Sequence, residues 1–295
     1  MINIQKINIR DAIANACAAF RTTGIDTQFL DAQLLLSFVL NTTRTALIAK
    51  ETEPLSPEDQ KHFYSLIERR INGECTAYIT GKKEFWGLDF LVNPSVLVPR
   101  PDTEILVEAA LQKKKEIAPA ARKKIKIMDL CTGCGAIAIA LKHEMPEIDV
   151  CAADISAEAL ETAKANASRL LPTGSQIHFY HGNLFKALPS TETLFDIIVS
   201  NPPYIPSDEI IKLPLEVQNE PLVALDGGKS GLDIIECIIK EAPDYLMHGG
   251  MLLLEADPSQ MENIKHLLET RGFSGIQLHK DLSNQVRVIS GRHEK

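Results

Sequence analysis

The first 72 residues carry apolar side chains at the three- and four-residue spacing of amphipathic helices. The apolar stripe of the first predicted helix consists of Ile9, Ile13, Ala16, Cys17 and Phe20. A second helix is predicted over residues 27–40, with an apolar face made of Phe29, Leu30, Leu34 and Phe38. Because no alternating pattern typical of a strand interrupts this region, we predict a small helical bundle domain over residues 1–72.

A further helix of this domain has clear start and end signals. Ser56 is a residue type that caps helices, and Pro57 suits the first helical turn. The side chains predicted to face inward are Phe63, Leu66, Ile67 and Ile71. Asn72-Gly73 then ends the helix.

Residues 73–100 have a different pattern, aromatic and rich in β-formers. The run Phe85-Trp86-Gly87-Leu88-Asp89-Phe90-Leu91-Val92 is followed by Val96-Leu97-Val98. This pattern predicts a β-hairpin that links two domains. Pro99-Arg100-Pro101 then stiffens the chain, and Asp102 is predicted to cap a helix over residues 103–115.

From Lys124 onward, strand-like and helical patterns alternate. The predicted strands are 125–130, 150–154, 177–181, 196–200 and 250–255, and the predicted helices are 136–142, 157–170, 232–245 and 261–271. Such alternation indicates a doubly wound parallel sheet. A short turn separates the last two predicted strands, 276–280 and 285–290, so we expect them to pair antiparallel. Residues 101–295 are therefore predicted to form one α/β domain.

Composition narrows the class of protein. The 295 residues include 31 basic and 39 acidic side chains, which gives a net charge of −8 and argues against a protein that coats nucleic acid. A basic stretch over residues 113–126, Lys113–Lys115 with Arg122–Lys124 and Lys126, is predicted to be a solvated helix end and loop. The six cysteines are too sparse for a disulfide framework, and no apolar run is long enough to cross a membrane. We therefore expect a cytoplasmic protein without a membrane partner.

A glycine-containing loop follows the first strand of the α/β region. Its residues are Cys131, Thr132, Gly133, Cys134 and Gly135, and Asp129 precedes them. Glycine permits tight turns and close approach of a ligand to the backbone. Asp154 ends the next predicted strand, at a spacing that lets its carboxylate accept both hydroxyls of a ribose. We therefore expect an adenosine-containing ligand. The loop by itself fits both S-adenosylmethionine and, with Ala138 as the third small residue, a dinucleotide.

The same loop contains a Cys-x-x-Cys, Cys131 and Cys134, for which a redox pair or half of a zinc site is the alternative interpretation. A zinc site needs further ligands, and the sequence has no second paired motif and no metal-ligand spacing among its histidines. We predict no metal site.

The run Asn201-Pro202-Pro203-Tyr204 directly follows a predicted strand, at the edge where the ligand is expected. The prolines fix the backbone. The Asn201 side-chain oxygen and the Pro202 carbonyl can accept the two N–H bonds of a planar NH2 group, and Tyr204 can stack on its flat face. Such a nitrogen is a poor nucleophile, so orientation supplies most of the rate. We predict Asn201, Pro202 and Tyr204 as catalytic residues and residues 201–204, including Pro203, as the substrate site of a methyl transfer.

The sequence resembles the protein-glutamine N5-methyltransferases that modify bacterial peptide-chain release factors. The matching motifs are Ala77–Gly81, Glu84–Leu88, Val98–Glu104, Asn201–Tyr204, Asn219–Pro221, Ala224-Leu225, Gly231–Asp233, Asp281-Leu282 and Arg287–Gly291. They span nearly the whole chain. The resemblance implies a helical domain that helps to dock the release factor, a hairpin linker and a Rossmann-like, S-adenosylmethionine-dependent methyltransferase domain.

The resemblance also implies roles for individual residues. The cofactor would contact Cys131, Thr132, Gly133, Cys134, Gly135, Asp154, Asn183, Leu184 and Asn201. The substrate would be the glutamine of the release factor's Gly-Gly-Gln loop, held by residues 201–204. Three departures stand out: Cys131 replaces a usual Gly, Asn183-Leu184 replaces a frequent Asp-Trp, and residues 254–257 replace a usual Glu-Ile-Gly. The second departure makes Phe185 a candidate for adenine stacking.

Four alternatives remain at this point. The sister family methylates a ribosomal-protein glutamine, and the motifs at Glu84–Leu88 and Pro99–Glu104 favour the release-factor family over it. An N6-adenine or N2-guanine nucleic-acid methyltransferase uses a similar Asn-Pro-Pro-Tyr, but the acidic charge argues against a polyanionic substrate. A regulator that only binds S-adenosylmethionine would not need Asn201, and a nicotinamide-dependent oxidoreductase lacks an evident acid–base residue.

Overall fold

Helices dominate the start of the chain and alternate with strands later, as seen in a computed structural model that describes residues 7–116, 124–189 and 194–294. The α-helices are α1 Ile9–Thr22, α2 Gln28–Val39, α3 Arg44–Ala49, α4 Pro57–Ile71, α5 Thr76–Thr80, α6 Glu104–Glu116, α7 Ala136–Glu144, α8 Ala157–Leu170, α9 Leu215–Gln218, α10 Leu222–Leu225, α11 Asp233–Glu241 and α12 Met261–Thr270. The strands are β1 Lys82–Phe85, β2 Leu88–Leu91, β3 Lys126–Leu130, β4 Asp149–Asp154, β5 Ile177–His181, β6 Phe195–Ser200, β7 Leu246–Glu255, β8 Phe273–Lys280 and β9 Val286–His293. These elements form two units, Met1–Gly81 with Pro214–Asn219 and Lys82–Leu213 with Glu220–Lys295.

The helical unit has an apolar core built largely from α1, α2 and α4. The stripe predicted for α1 is confirmed, except that Cys17 is only half-buried and Ala12 joins the core. In α4 the predicted Phe63, Leu66 and Ile67 are buried, whereas Ile71 is half-buried. The predicted start of α4 is also confirmed, because the Ser56 hydroxyl accepts the Asp59 N–H at 3.0 Å.

The apolar face predicted for α2 is wrong. Phe29 is 60% exposed and Phe38 is 45% exposed, while the helix buries Ala32, Leu35 and Leu36. The buried face also carries Asp31 and Gln33. Because α2 is apolar around much of its circumference, its hydrophobic pattern did not identify the inward side.

Polar partners explain why that face is buried. Arg70 of α4 donates from Nε to Asp31 Oδ2 at 2.8 Å, and its Nη2 lies 2.6 Å from Glu216 Oε2 in α9. Gln33 Oε1 accepts a hydrogen bond of 2.9 Å from Arg44 Nη2. Buried polar side chains of this kind are tolerated when they are paired, so α2 can turn its polar positions inward.

The segment predicted as a linker contains a helix before its hairpin. Helix α5 belongs to the helical unit, and its Ile79 packs in that unit's core, so residues 73–81 are not part of an extended connector. The hairpin itself pairs β1 with β2 antiparallel, with Phe85 opposite Leu88. Trp86 (φ +54°) and Gly87 (φ +71°) form its two-residue turn, as a type I′ turn requires.

Of two predictions about charged residues near α6, one is wrong and the other fails at one residue. Asp102 lies inside a 3₁₀ turn, Pro101–Thr103, and forms an ion pair of 3.0 Å with Arg287 instead of capping α6. Lys113 is buried and donates to Gln277 Oε1 at 2.6 Å, so the basic stretch is not solvated at this residue, whereas Lys124 is exposed as predicted. Arg122 and Lys123 lie outside the described residues.

The α/β unit is built on a seven-stranded sheet of order β5-β4-β3-β6-β7-β9-β8. The first five strands in this order are parallel, and β9 runs antiparallel to both β7 and β8, as predicted for the chain's end. The chain runs outward from β3 through β4 to β5 and then returns to the other side of β3 as β6. This reversal creates a switch point between β3 and β6, where ligands bind in open α/β sheets.

Helices cover both faces of the sheet. Met128 and Leu130 of β3 pack in one cluster with Ile235 of α11 and Ile264 of α12. Helices α6 and α7 contact the sheet and one another. The central strands read as continuous apolar runs because both of their faces are buried. Within the described ranges, no helix has the length and apolar character needed to cross a bilayer.

Candidate active site

A cleft opens beside the carboxyl ends of the parallel strands in the α/β unit. Its volume is about 1040 Å³, including the part open to solvent, which is the scale of small-molecule sites. The predicted residues that line it are Cys131, Thr132, Gly133, Cys134, Asp154, Asn183, Leu184, Asn201 and Pro203. Gly135, Pro202 and Tyr204 are not among the lining residues. The structure therefore brings together the glycine loop, the acid after β4 and the start of the Asn-Pro-Pro-Tyr run.

Asp129, at the end of β3, supports the glycine loop from inside the protein. Its Oδ2 accepts the Thr132 hydroxyl at 2.6 Å and the Ala138 N–H at 3.2 Å. Its Oδ1 is buried and has no hydrogen-bond partner among the described residues. Burial is the main cause that raises the pKa of Asp129 to about 7. This carboxyl therefore titrates near neutral pH. Its hydrogen bonds hold Thr132 of the loop and Ala138 of α7 in place.

The loop turns through three residues with positive φ: Cys131 (+58°), Gly133 (+55°) and Gly135 (+84°). A Cβ on Gly135 would lie 3.0 Å from Ile139 Cδ1 and 3.1 Å from Ala163 Cβ, so this glycine allows α7 to pack closely against α8. A Cβ on Gly133 would meet no heavy atom within 4 Å. Gly133 lines the cleft, and the open space beside it leaves room for a ligand to approach the backbone.

Asp154 connects this loop to the end of β4. Its Oδ2 accepts the Gly133 N–H at 2.8 Å, and its Oδ1 accepts the Ser156 N–H at 2.9 Å. Burial is the largest influence on its pKa, which is raised. Each oxygen keeps a further lone pair, so the carboxylate can also accept hydroxyl groups from a ligand in the cleft. The acid, the open glycine and the cleft together fit the adenosine part of S-adenosylmethionine.

Residues 183–185, which follow β5, include the candidate for adenine stacking, Phe185. Asn183 and Leu184 line the cleft, and Leu184 has a positive φ of +49°. Phe185 is fully buried and stacks on Tyr245, with ring centroids 4.4 Å apart and planes 10° apart. Phe185 is therefore a core residue, and the proposal that it stacks on adenine is wrong. Leu184 offers an apolar surface instead.

Asn201 is the first residue after β6 and lines the cleft. Its Nδ2 donates to the Thr103 hydroxyl oxygen at 3.1 Å. The preceding Ser200 is buried and donates to the Leu130 carbonyl at 2.8 Å, which ties the end of β6 to that of β3. Because the amide nitrogen is engaged by Thr103, the side-chain oxygen of Asn201 is the group left to accept a hydrogen bond.

The backbone of residues 203 and 204, after Asn201, is fixed by contacts with Gln260, Gly227 and Gly231. Gln260 Nε2 donates to the Tyr204 carbonyl at 2.9 Å. A Cβ on Gly227 would come within 2.8 Å of the Pro203 carbonyl, and one on Gly231 within 2.3 Å of the Tyr204 carbonyl. These close approaches require glycine, so the Asn-Pro-Pro-Tyr run is fixed by contacts as well as by its prolines.

Comparison with known proteins bears on the family of the chain and on its fold. A family model described as the PrmC N-terminal domain matches residues 11–81, and one described as the methyltransferase small domain matches residues 102–213. A release factor glutamine methyltransferase from Neisseria gonorrhoeae is 40% identical over 90% of this chain and 94% of its own length. Another, from Coxiella burnetii, is 39% identical over 97% of this chain and 99% of its own.

The chain belongs to the release factor glutamine methyltransferase family. Solved structures show the same fold at lower identity. A methyltransferase from Pyrococcus furiosus aligns with a TM-score of 0.51 and 21% identity over 77% of this chain and 98% of its own. The hMettl16 catalytic domain in complex with MAT2A 3′UTR hairpin 1 aligns with a TM-score of 0.54 and 15% identity over 77% of this chain and 80% of its own.

This member of the release factor glutamine methyltransferase family has two buried polar residues near Asn201 to which the sequence analysis assigned no role. Thr103 holds the Asn201 amide and lines the cleft. Glu255 ends β7, beside β6, and is 2% exposed. Burial is the main cause that raises the pKa of Glu255 to about 7. The sequence could have pointed to Glu255 by its position at the end of a predicted strand. An acid that ends a parallel strand lies at the same edge of the sheet as Asn201.

A second pairing, between two of the family motifs, was also missed. Glu220 is buried, accepts the Val98 N–H at 3.0 Å and forms an ion pair with Arg100. Val98 and Arg100 belong to the stretch that precedes α6, and Arg100 lines the cleft. Glu220 therefore fixes one wall of the cleft, although the two motifs lie far apart in sequence.

The two cysteines of the loop lie in a setting that disfavours thiolates. Burial raises the pKa of Cys131, and it raises the pKa of Cys134 to about 12. Both thiols are therefore protonated at neutral pH, which makes them poor nucleophiles and poor metal ligands. Within residues 7–116, 124–189 and 194–294, no cluster of His, Cys, Asp and Glu has the arrangement of a metal site.

Proposed function

We propose that this protein transfers a methyl group from S-adenosylmethionine to the side-chain amide nitrogen, N5, of the glutamine in the Gly-Gly-Gln loop of peptide-chain release factors. The observation that carries the proposal is the position of Asn201: its amide nitrogen is held by Thr103, and its oxygen is left beside a cleft that Asp154 also lines. The names of the relatives support the substrate.

The residues 201–204 recognise a planar amide. The Asn201 oxygen accepts one N–H of the substrate glutamine, and the Pro202 carbonyl accepts the other. Tyr204 supports the site through its backbone and its hydroxyl more than by lining the cleft. These two hydrogen bonds turn the nitrogen toward the reacting carbon, and fixed orientation of this kind can supply about 7–11 kcal/mol of the barrier.

S-adenosylmethionine supplies an electrophilic methyl group on a sulfonium ion. The chain's own residues bind the rest of that molecule: Asp154 accepts its ribose hydroxyls, Gly133 lets it approach the backbone, and Asn183 and Leu184 border its adenine. Once methylated, the amide nitrogen is strongly acidic and loses its proton to water. No side chain has to act as a strong base.

We further propose that the helical region, residues 1–72, docks the release factor. Its surface exposes the large apolar side chains Phe29, Phe38 and Ile48, which a bound partner could cover. A Phe29→Ser, Phe38→Ser double variant should raise the KM for the release factor and leave the Kd for S-adenosylmethionine unchanged. Leu282→Ser, at a fully exposed position of the α/β unit, is the control.

One assay distinguishes release factors from other possible methyl acceptors. The enzyme is incubated with labelled S-adenosylmethionine and, in parallel, with release factors, the same factors carrying Gln→Glu in the Gly-Gly-Gln loop, ribosomal protein and nucleic acid. The expected result is label in the intact release factor alone. Label in the ribosomal protein or nucleic acid, and none in the release factor, would replace the proposed substrate. Because release factors act in translation termination, the proposed substrate also implies that the protein acts in the cytoplasm.

A further inference from the structure

Glu255 and Asn201 are brought side by side by the sheet. Strands β6 and β7 are parallel neighbours, with Ser200 opposite Leu254. Asn201 follows β6 and Glu255 is the last residue of β7, so the two lie at the same level of the sheet edge. Both Thr103, at 4% exposure, and Glu255, at 2%, are buried beside the half-buried Asn201. Three polar side chains from three separate parts of the chain therefore meet where the substrate amide is proposed to bind.

The Thr103 hydroxyl links Asn201 to Glu255, because it can accept one hydrogen bond and donate another. A threonine hydroxyl has one donor and two acceptor sites. Its oxygen accepts the Asn201 amide N–H at 3.1 Å, so its own hydrogen must be donated to another group. The carboxylate of Glu255 is the acceptor that faces it, and hydrogen bonding from Thr103 and from the Tyr204 hydroxyl favours the ionised form of Glu255.

Glu255 is otherwise poorly satisfied. Its Oε2 is buried without a hydrogen-bond partner among the described residues. The charged groups that act on it are Asp102, which disfavours the carboxylate, and Arg287, which favours it. Arg287 lies 3.0 Å from Asp102 and 3.0 Å from Asp281, so its charge is largely shared with these two acids. A buried acceptor in this state strongly favours any hydroxyl that points its hydrogen toward it.

We infer that Glu255 is a positioning residue, which acts through Thr103 to hold the Asn201 amide with its oxygen toward the substrate. The inference rests on the proposed function. An ionised Glu255 can only accept, so Thr103 donates to it and must accept from Asn201 Nδ2. If Thr103 no longer has to accept from Asn201, the Asn201 amide can rotate by half a turn. Its NH2 group then faces the NH2 group of the substrate glutamine, and two donors cannot form a hydrogen bond.

Protonation of Glu255 should release the same constraint. A protonated carboxyl can donate to Thr103, whose hydroxyl is then free to donate to the Asn201 oxygen and to reverse the amide. The rate of methyl transfer is therefore expected to fall as the pH falls and Glu255 gains its proton.

Four variants test the inference in the full-length enzyme. Thr103→Val and Glu255→Gln keep the shape of each side chain and remove the hydroxyl or the charge. Each should lower kcat about 10- to 100-fold, the scale of a misplaced reacting group, and leave the Kd for S-adenosylmethionine within about twofold by calorimetry. Thr103→Ser should recover most of the activity lost in Thr103→Val. Glu262→Gln, at a surface carboxylate whose side chain is 88% exposed, should behave as the wild type.

Two further readouts distinguish positioning from a general structural role. The acidic limb of the kcat–pH profile should be present in the wild type and absent in Glu255→Gln. The side-chain NH2 resonances of Asn201, assigned by their loss in Asn201→Ala, should shift with pH in the wild type and stay constant in Glu255→Gln. An unchanged kcat in Glu255→Gln, or equal losses in Thr103→Ser and Thr103→Val, would overturn the inference.

The NMR measurement does not depend on the acceptor. If the wild type fails to label release factors but the Asn201 resonances respond to Glu255 as expected, the proposed function fails and the link between the two residues stands. If the wild type labels release factors and the resonances do not respond, the inference fails alone.

Discussion

Asp154 Oδ2 accepts the backbone N–H of Gly133 at 2.8 Å, which joins the end of β4 to the glycine loop after β3. The same carboxylate therefore shapes the loop and is available to ribose hydroxyls in the cleft. Loss of its charge is therefore expected to affect the glycine loop as well as any contact with a ribose.

Asp154→Asn should weaken S-adenosylmethionine binding about 10- to 100-fold, since hydrogen bonds to a charged group contribute about 1.5–3 kcal/mol. Titration calorimetry measures the effect directly. Asp149→Asn, at the other end of β4, is the matched control and should bind normally. Equal affinities in the two variants would show that Asp154 does not contact the cofactor.

The sheet could be predicted from the sequence because its strands are buried on both faces and read as continuous apolar runs between helical patterns. Four predicted loops consequently came to one edge, and most of their residues line one cleft. Periodicity failed at α2, where apolar residues surround the helix and the buried face is chosen by Asp31 and Gln33 through distant partners.

The site was predicted less completely than the fold. Asp154 ends a strand and Asn201 directly follows one, so the strand pattern alone places both at the sheet edge. Thr103 and Glu255 reach the same point from a turn before α6 and from β7, and their contact with Asn201 depends on strand order, which the sequence does not state. The prediction for Phe185 is wrong because this ring stacks on Tyr245, a residue far away in the sequence whose proximity the local pattern does not indicate.

The buried pair Asp31–Arg70 gives a prediction about stability. Their side chains are 8% and 5% exposed, and removal of Asp31 leaves the buried Arg70 paired with Glu216, whose side chain is 37% exposed. Asp31→Ala should lower the free energy of unfolding by about 1–3 kcal/mol, less than the loss expected for a fully unpaired buried charge. Urea unfolding of the full chain measures it, and Glu68→Ala, an exposed acid on α4, should change stability little. A small effect in Asp31→Ala would mean that solvent or Glu216 can satisfy Arg70.

Asn201→Ala should abolish most methyl transfer and preserve most cofactor binding. The substitution removes the acceptor that orients the substrate amide, and loss of one such fixed polar group commonly costs about 10²–10³ in kcat. Single-turnover kinetics with saturating S-adenosylmethionine measure the chemical step. Asn263→Ala, on the exposed side of α12, serves as the control. Normal turnover in Asn201→Ala would contradict the proposed mechanism.

Cys131 occupies a left-handed backbone conformation, φ +58°, that glycine adopts without strain. A non-glycine residue in this conformation costs about 1–2 kcal/mol. Cys131→Gly should therefore be more stable than Cys131→Ala by about 1 kcal/mol, because both lack the thiol and only alanine keeps the strained Cβ. Paired urea titrations test the difference. If alanine is the more stable variant, the backbone at this position is not strained.

Stability should fall as the pH rises from about 4 to about 7. Burial raises the pKa of Asp129 from 3.8, and that of Glu255 from 4.5, to about 7. In this window the folded state binds more protons than the unfolded state, so the free energy of unfolding decreases with pH. Asp129→Asn and Glu255→Gln should each flatten the dependence, which urea unfolding at a series of pH values would show. A wild-type profile that is level or rising across this window, or variants with the wild-type slope, would mean that these carboxyls stay ionised in the folded protein.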